Sequence, residues 1–212
     1  MEKDSKEVVK EIVTKDSFLD VLRNLGVKDN KVIEVHSSLS SLGYVVGGAR
    51  TIVDALFELT KDNDTILMPI QTTDNTDPSG WQNPPLDPSL WQQVRDAMPA
   101  YHPEASDLRN MGAIPENFRH RNVLIFSGHP SVSYASWGKY AHLLCNRQSL
   151  HFPLAEESPA ARLYELRGDV LLIGVDYDTC TCMHLAEYKT DCRPIQINCS
   201  SVKSGDGKVW KK

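Results

Sequence analysis

The chain has 212 residues, 41% of them hydrophobic and 24% charged, the make-up of one water-soluble domain able to bury about 70% of its unfolded surface. Twenty-three basic against 28 acidic residues give a formal net charge of −5; without a basic cluster this excludes the charge pattern of a nucleic-acid binder and suits a cationic ligand. No apolar run approaches the ~20 residues of a membrane span, no apolar stretch follows the opening M-E-K-D-S-K-E, and the five cysteines are odd in number and late in the chain, so a reduced, cytoplasmic protein without membrane contact is expected.

Thr14 or Asp16 is placed to cap a first helix in which Phe18, Val21, Leu22 and Leu25 recur at helical spacing, and Gly26 ends it. Lys31 to Val35 reads as the first strand. It runs into H-S-S-L-S-S-L-G (36 to 43), after which Gly47 and Gly48 lead to a helix from Ala49 to Leu59 that turns Ile52, Leu56 and Leu59 inward. Thr65 to Met68 is a second short strand, closed by Pro69. The order strand, small-residue loop, helix, strand predicts a right-handed crossover and parallel pairing.

From Gln71 to Ser106 turn residues dominate, yet Trp81 and Trp91 argue for a folded excursion lining a cleft, with a short helix around Leu90 to Met98. A helix containing Pro115 runs to about Arg119, Val123 to Phe126 reads as a strand, and Gly128-His129-Pro130 opens a loop into a helix from Tyr134 to Leu144. Ser158 and Pro159 start a helix from Ala160 to Leu166 that feeds a buried central strand, Val170 to Val175, closing on Gly174. Asp176 and Asp178 follow, then a helical segment bearing His184 and Glu187. Ile195 to Val202, S-G-D-G and K-V-W-K-K read as a hairpin turning at Asp206-Gly207, its second strand hardly begun. One α/β domain over residues 1–212, a three-layer α/β/α sandwich with a mixed central sheet, accounts for this order.

Residues three apart on a helix share a face, so His184 and Glu187 can point into one cleft; an imidazole oriented by a carboxylate is a general base for neutral pH, and the same spacing also makes a solvated structural pair. His36, Ser37 and Ser38 sit where a strand ends, and Gly47-Gly48 precedes a helix N-terminus. Free N–H groups and the helix dipole there favour phosphates, although serine and glycine also simply make turns and caps. No G-K-[ST] follows, which excludes a P-loop, and no G-x-S-x-G elbow supports a serine hydrolase. Cys180, Cys182, His184 and Cys192 form a rival zinc set, but a single residue between two cysteines is tighter than the spacing zinc sites use, and no metal is expected. His129 is read as a loop histidine, structural or ligand-binding. Asp74, Asp77, Glu116, Glu156 and Glu157 can give a cleft negative charge for an amine.

Taken together, V-H-S-S-L-S-S-L-G (35 to 43), Gly47-Gly48, Met68-Pro69, M-G-A-I-P-E-N-F-R (111 to 119), G-H-P (128 to 130), Ser158-Pro159 and D-T-C-T-C-M-H-L-A-E (178 to 187) resemble, in order, the aminoglycoside 3-N-acetyltransferase family. The resemblance implies acetyl transfer from acetyl-CoA to the 3-amino group of a 2-deoxystreptamine antibiotic, in an α/β/α fold unlike that of the GNAT acetyltransferases. It implies that His36, Ser37, Ser38, Leu39, Ser40, Gly47, Gly48 and Ser127 hold CoA, that His184 is the base with Glu187, Asp178 or both beside it, and that Asp74, Glu116 and Glu187 receive the amine substrate. Backbone N–H groups near Ser37, Ser38 or Gly47 are the expected oxyanion donors. The chain departs from the family pattern at Phe126, where relatives often carry arginine, at Cys180 within D-T-C-T, and at His102. Relatives continue further, so the family's C-terminal part is expected to be missing, and a CoA-binding relative with impaired turnover is the alternative. A monomer and a homodimer are equally compatible with the sequence.

Overall fold

Strand β2 (Val32–Ser37) sits between two parallel neighbours, and its alternating side chains supply both halves of the core: Ile33 and Val35 on one face, Val32 on the other. A computed structural model describes residues 8–27, 31–60, 63–72, 75–108, 110–190, 194 and 197–211. Before β2 lie β1 (Ile12–Val13) and α1 (Lys15–Asn24); after it come a 3₁₀ turn at Leu39–Leu42, β3 (Tyr44–Val45), α2 (Ala49–Leu59) and β4 (Thr65–Pro69). The chain continues through α3 (Trp91–Ala97), α4 (Ala113–Arg119), β5 (Ile125–Phe126), β6 (Tyr134–Gly138), α5 (Ala141–Cys145), α6 (Pro159–Glu165), β7 (Asp169–Ile173), α7 (His184–Tyr188), β8 (Ser200–Ser204) and β9 (Gly207–Lys211).

The central sheet has the order β5-β6-β4-β2-β7, with β2 parallel to β4 and β7, and β6 antiparallel to β4 and β5. Phe18, Leu19 and Leu22 of α1, Ile52, Val53 and Leu56 of α2, and Ile114 and Phe118 of α4 fill the core on one face. Leu144 and Cys145 of α5 and Leu163 of α6 join Leu67 and Tyr134 on the other. This is the expected mixed α/β sandwich. β1 pairs with β3, and β8 with β9, outside the main sheet.

The local signals explain most boundaries. Thr14 caps α1 in a reciprocal pair with Ser17, and Ser158 Oγ accepts the Ala161 N–H at 3.0 Å with Pro159 at the first helical position. Four expectations are corrected. The apolar stripe of α1 is Phe18, Leu19 and Leu22, while Val21 and Leu25 are exposed, because the face this helix turns toward α2 carries the first three. The segment Tyr134–Leu144 is a strand followed by a short helix: Gly138 has φ +106° and passes so close to Asp64 that a Cβ would lie 2.1 Å from its carbonyl oxygen. The strand expected at Val170–Val175 is β7, which stops at Ile173 and forms one edge of the sheet with Val170 exposed, because only β2 pairs with it among the described residues. In the hairpin Ser204 pairs with Gly207, so the turn residues are Gly205 and Asp206, and its second strand runs through five residues.

Candidate active site

The carboxyl ends of β2 and β4 and the loop after β7 meet at a cavity of about 160 Å³ lined by His36, Ser37, Pro69, Gln71, Val175, Thr179 and Thr181, with Asn110, Met111 and Pro115 closing its other side. β2 lies between two parallel neighbours reached by crossovers, the place where open α/β sheets leave a crevice for ligands. Gln71 Nε2 donates to Thr181 Oγ1 at 3.3 Å, tying the segment after β4 to the one after β7.

On one flank lies the serine turn. Ser41 Oγ donates to Ser38 Oγ at 2.9 Å, and the Ser38 and Ser40 hydroxyl oxygens are 3.1 Å apart. The Ser38 N–H donates to Ile173 O at 2.9 Å, so it is engaged and is not the free oxyanion donor expected from sequence. Ser37 Oγ is buried without a partner among the described residues and belongs to a residue bordering the cavity. Gly47 and Gly48 adopt φ of +80° and +62°, and α2 then begins with no side-chain cap; the Thr51 N–H donates to Gly48 O at 3.1 Å, which leaves those of Ala49 and Arg50 without a partner among the described residues.

On the other flank, two 3₁₀ turns at Tyr177–Thr179 and Thr181–Met183 carry the chain from the cavity to α7. His184 Nδ1 is 2.7 Å from Glu187 Oε2, and both side chains are partly exposed. Asp178 is exposed and, among the described residues, has no hydrogen bond to His184, so Glu187 is the carboxylate that orients this ring. Glu116 is taken up by Arg119 at 2.8 Å and His120 at 2.9 Å. Ser127 Oγ donates to Gln148 at 2.6 Å and accepts the Tyr134 N–H at 2.8 Å; its hydroxyl closes the G-H-P loop. Asp74 and Cys192 lie outside the described residues. His129 is buried, accepts the N–H groups of Ser131 and Val132 through Nδ1, and places Nε2 3.2 Å from Leu150 O, a structural loop histidine.

The structure adds a pair that the strand assignment had divided. β2 extends to Ser37, so Glu34 and His36 share a face, and His36 Nε2 lies 2.7 Å from Glu34 Oε1 with both side chains almost wholly buried. Glu34 Oε2 and the Tyr134 hydroxyl each have no partner among the described residues, and burial followed by the Glu34 charge pushes the Tyr134 phenol well up. A charged residue in the middle of an apolar strand was the available signal. The Cys180 and Cys182 sulfurs are 3.4 Å apart; burial and then Glu34 push the Cys182 thiol well up. Among the described residues, no three His, Cys, Asp or Glu side chains gather as metal ligands, and no helix is long and apolar enough to cross a membrane.

A mixed α/β sandwich with a cleft at its parallel strand ends, a helix N-terminus on one side and a histidine–carboxylate pair on the other, defines the class of protein. The family model for aminoglycoside 3-N-acetyltransferases matches residues 35–212. In sequence the chain is 41% identical over 201 residues to the SPbeta prophage-derived aminoglycoside N(3')-acetyltransferase-like protein YokD of Bacillus subtilis, covering 94% of this chain and 74% of that one. The crystal structure of YokD superposes with a TM-score of 0.91 at 38% identity, over 96% of this chain and 76% of that one. Aminoglycoside N(3)-acetyltransferase IX of Micromonospora chalcea is 36% identical, over 85% of this chain and 64% of its own length. AAC-IIIb in binary complex with CoASH matches with a TM-score of 0.80 at 27% identity, and AAC-VIa bound to sisomicin with 0.81 at 25%, each over 95% of this chain and 75% of the other. The chain belongs to the aminoglycoside 3-N-acetyltransferase family, a family of acyltransferases.

Proposed function

We propose that the chain transfers an acetyl group from acetyl-CoA to an amine, the 3-amino group of a 2-deoxystreptamine aminoglycoside, with His184 as general base. The observation that carries this is the His184–Glu187 pair, held at 2.7 Å and open to solvent three residues beyond Thr181 in the cavity wall. His184 Nδ1–H donates to Glu187 Oε2, so the lone pair available to take a proton is on Nε2. The amine loses its proton to that nitrogen as it attacks the acetyl carbon. AAC-IIIb with CoASH and AAC-VIa with sisomicin support the two substrate classes.

The serine turn and the start of α2 fit the other substrate. The N–H groups at the start of α2 and its dipole suit phosphates, and with nothing within 4 Å of where a Gly48 Cβ would stand, a ligand can approach the backbone there. The Ser37 hydroxyl is buried and unpartnered among the described residues; turned toward the cavity that Ser37 lines, it would donate to the carbonyl oxygen as that atom gains charge. The acidic balance of the chain favours a polycationic acceptor.

Thiol release from acetyl-CoA, followed over a panel of amines with and without gentamicin-class compounds, tests the reading. Release stimulated by an aminoglycoside, and lowered about 10²–10⁴-fold in His184→Ala with unchanged thermal unfolding, is the expected outcome. Activity that survives the substitution rejects His184 as base. CoA binding by calorimetry with no product from any amine leaves a binding protein without turnover.

A further inference from the structure

The Glu34–His36 pair is an unusual choice for the middle of a sheet. Burying a carboxylate is costly unless it is paired, and two apolar side chains would fill the same face of β2 without that cost. Glu34 is fully buried, its Oε1 lies 2.7 Å from His36 Nε2, and its Oε2 has no partner among the described residues. The pairing fixes how the ring can act: Nε2 is held by the carboxylate, and Nδ1, which has no hydrogen bond among the described residues, is the nitrogen left for a ligand. His36 lines the cavity with Ser37, Thr179 and Thr181, and the pair lies on the Val32 face of β2, the face that also carries Cys182.

Acyl transfer needs two proton movements, one from the attacking nitrogen and one to the departing sulfur. Resting on the transferase reading, we infer that His36 is the general acid, protonating the CoA sulfur as it leaves while Glu34 holds its ring in place. The nitrogen lone pair of the free amine forms the C–N bond and its N–H proton passes to His184. The C–S bond breaks with its electron pair on sulfur, and that sulfur takes the proton on His36 Nδ1. Amide and free thiol result, and exchange with water returns one proton to His36 and removes one from His184. A single histidine shuttling its proton from nitrogen to sulfur is the competing arrangement.

The test uses two acetyl donors: acetyl-CoA, and an acetyl ester of a nitrothiophenol, whose thiolate departs without a proton. In His36→Gln the rate from acetyl-CoA falls about 10²–10³-fold, the activated thioester is used within about threefold of the unaltered protein, and calorimetric affinity for CoA changes less than about threefold. Because this substitution leaves Glu34 buried alone, the double variant Glu34→Gln/His36→Gln, with no buried charge, is measured beside it and shows the same pattern. Equal loss with both donors in the double variant, no loss with either, or a fall in CoA affinity that accounts for the rate would overturn the assignment. Failure of the unaltered protein to release thiol from acetyl-CoA with any amine overturns the transferase reading and this inference together; release with an unselective His36 effect overturns this inference alone.

Discussion

At neutral pH the imidazole of His129 is uncharged, because burial lowers its pKa from the ordinary value near 6.5 to about 4, partly opposed by the Leu150 carbonyl. The unfolded chain therefore binds a proton here between about pH 6.5 and 4 that the folded chain refuses. Stability owed to this group is fully present above that window, is lost through it as pH falls, and changes no further below it. The loss is on the order of 3 kcal/mol. Unfolding free energies from urea titrations at pH 7 and 4.5 should separate more in the unaltered protein than in His129→Asn by about that amount; equal separations would reject the assignment. Such a role was partly visible in sequence, where G-H-P marked a turn but not how deep it lay. His184 and Glu187 were legible because i, i+3 spacing on a helix needs no knowledge of the rest of the fold. Glu34 and His36 were not, because ending the strand at Val35 hid the alternation that puts them on one face.

Among the elements, the excursion after β4 is held by polar ties that periodicity does not report. Arg95 of α3 meets Asp77 through two hydrogen bonds of 2.8 and 2.9 Å, and this holds the Asp77 carboxyl well below the usual range. Lys208 of β9 donates to the carbonyls of Arg95, Asp96 and Met98 at the carboxyl end of α3, and the Trp210 indole donates to Arg95 O at 3.2 Å. An ammonium there satisfies carbonyls that the helix leaves open and opposes its dipole. Lys208→Met should cost about 1–2 kcal/mol and speed hydrogen exchange in both α3 and β9; acceleration confined to β9 would show that the hairpin does not brace the helix. The hairpin itself was readable from Gly205-Asp206-Gly207, whereas its partner was not, since no local pattern names a contact 113 residues away. The strand β6 was taken for helix because its apolar residues do not alternate cleanly with polar ones, both of its edges being paired and Tyr134, Ala135 and Ser136 all buried.

Across the whole molecule, composition and element order were enough for a mixed sheet between helical layers, and the order of motifs was enough for the family. The sheet order was not legible, so β7 was expected in the middle when it forms an edge. That position matters for Gly174, the residue after β7. Its φ is +66°, and a Cβ there would stand 2.8 Å from Ser41 Cβ and 3.2 Å from Ser38 O. Gly174→Ala should cost about 1–2 kcal/mol from backbone conformation alone. It should also depress CoA affinity and acetyl transfer in step, measured by calorimetry and thiol release, whereas His184→Ala lowers transfer and leaves CoA affinity intact. Turn and loop are thus pressed together at a seam one hydrogen atom wide. On the proposed function, room for bulkier acceptors has to be found elsewhere, because a wedge driven in at that seam would loosen the hold on the donor.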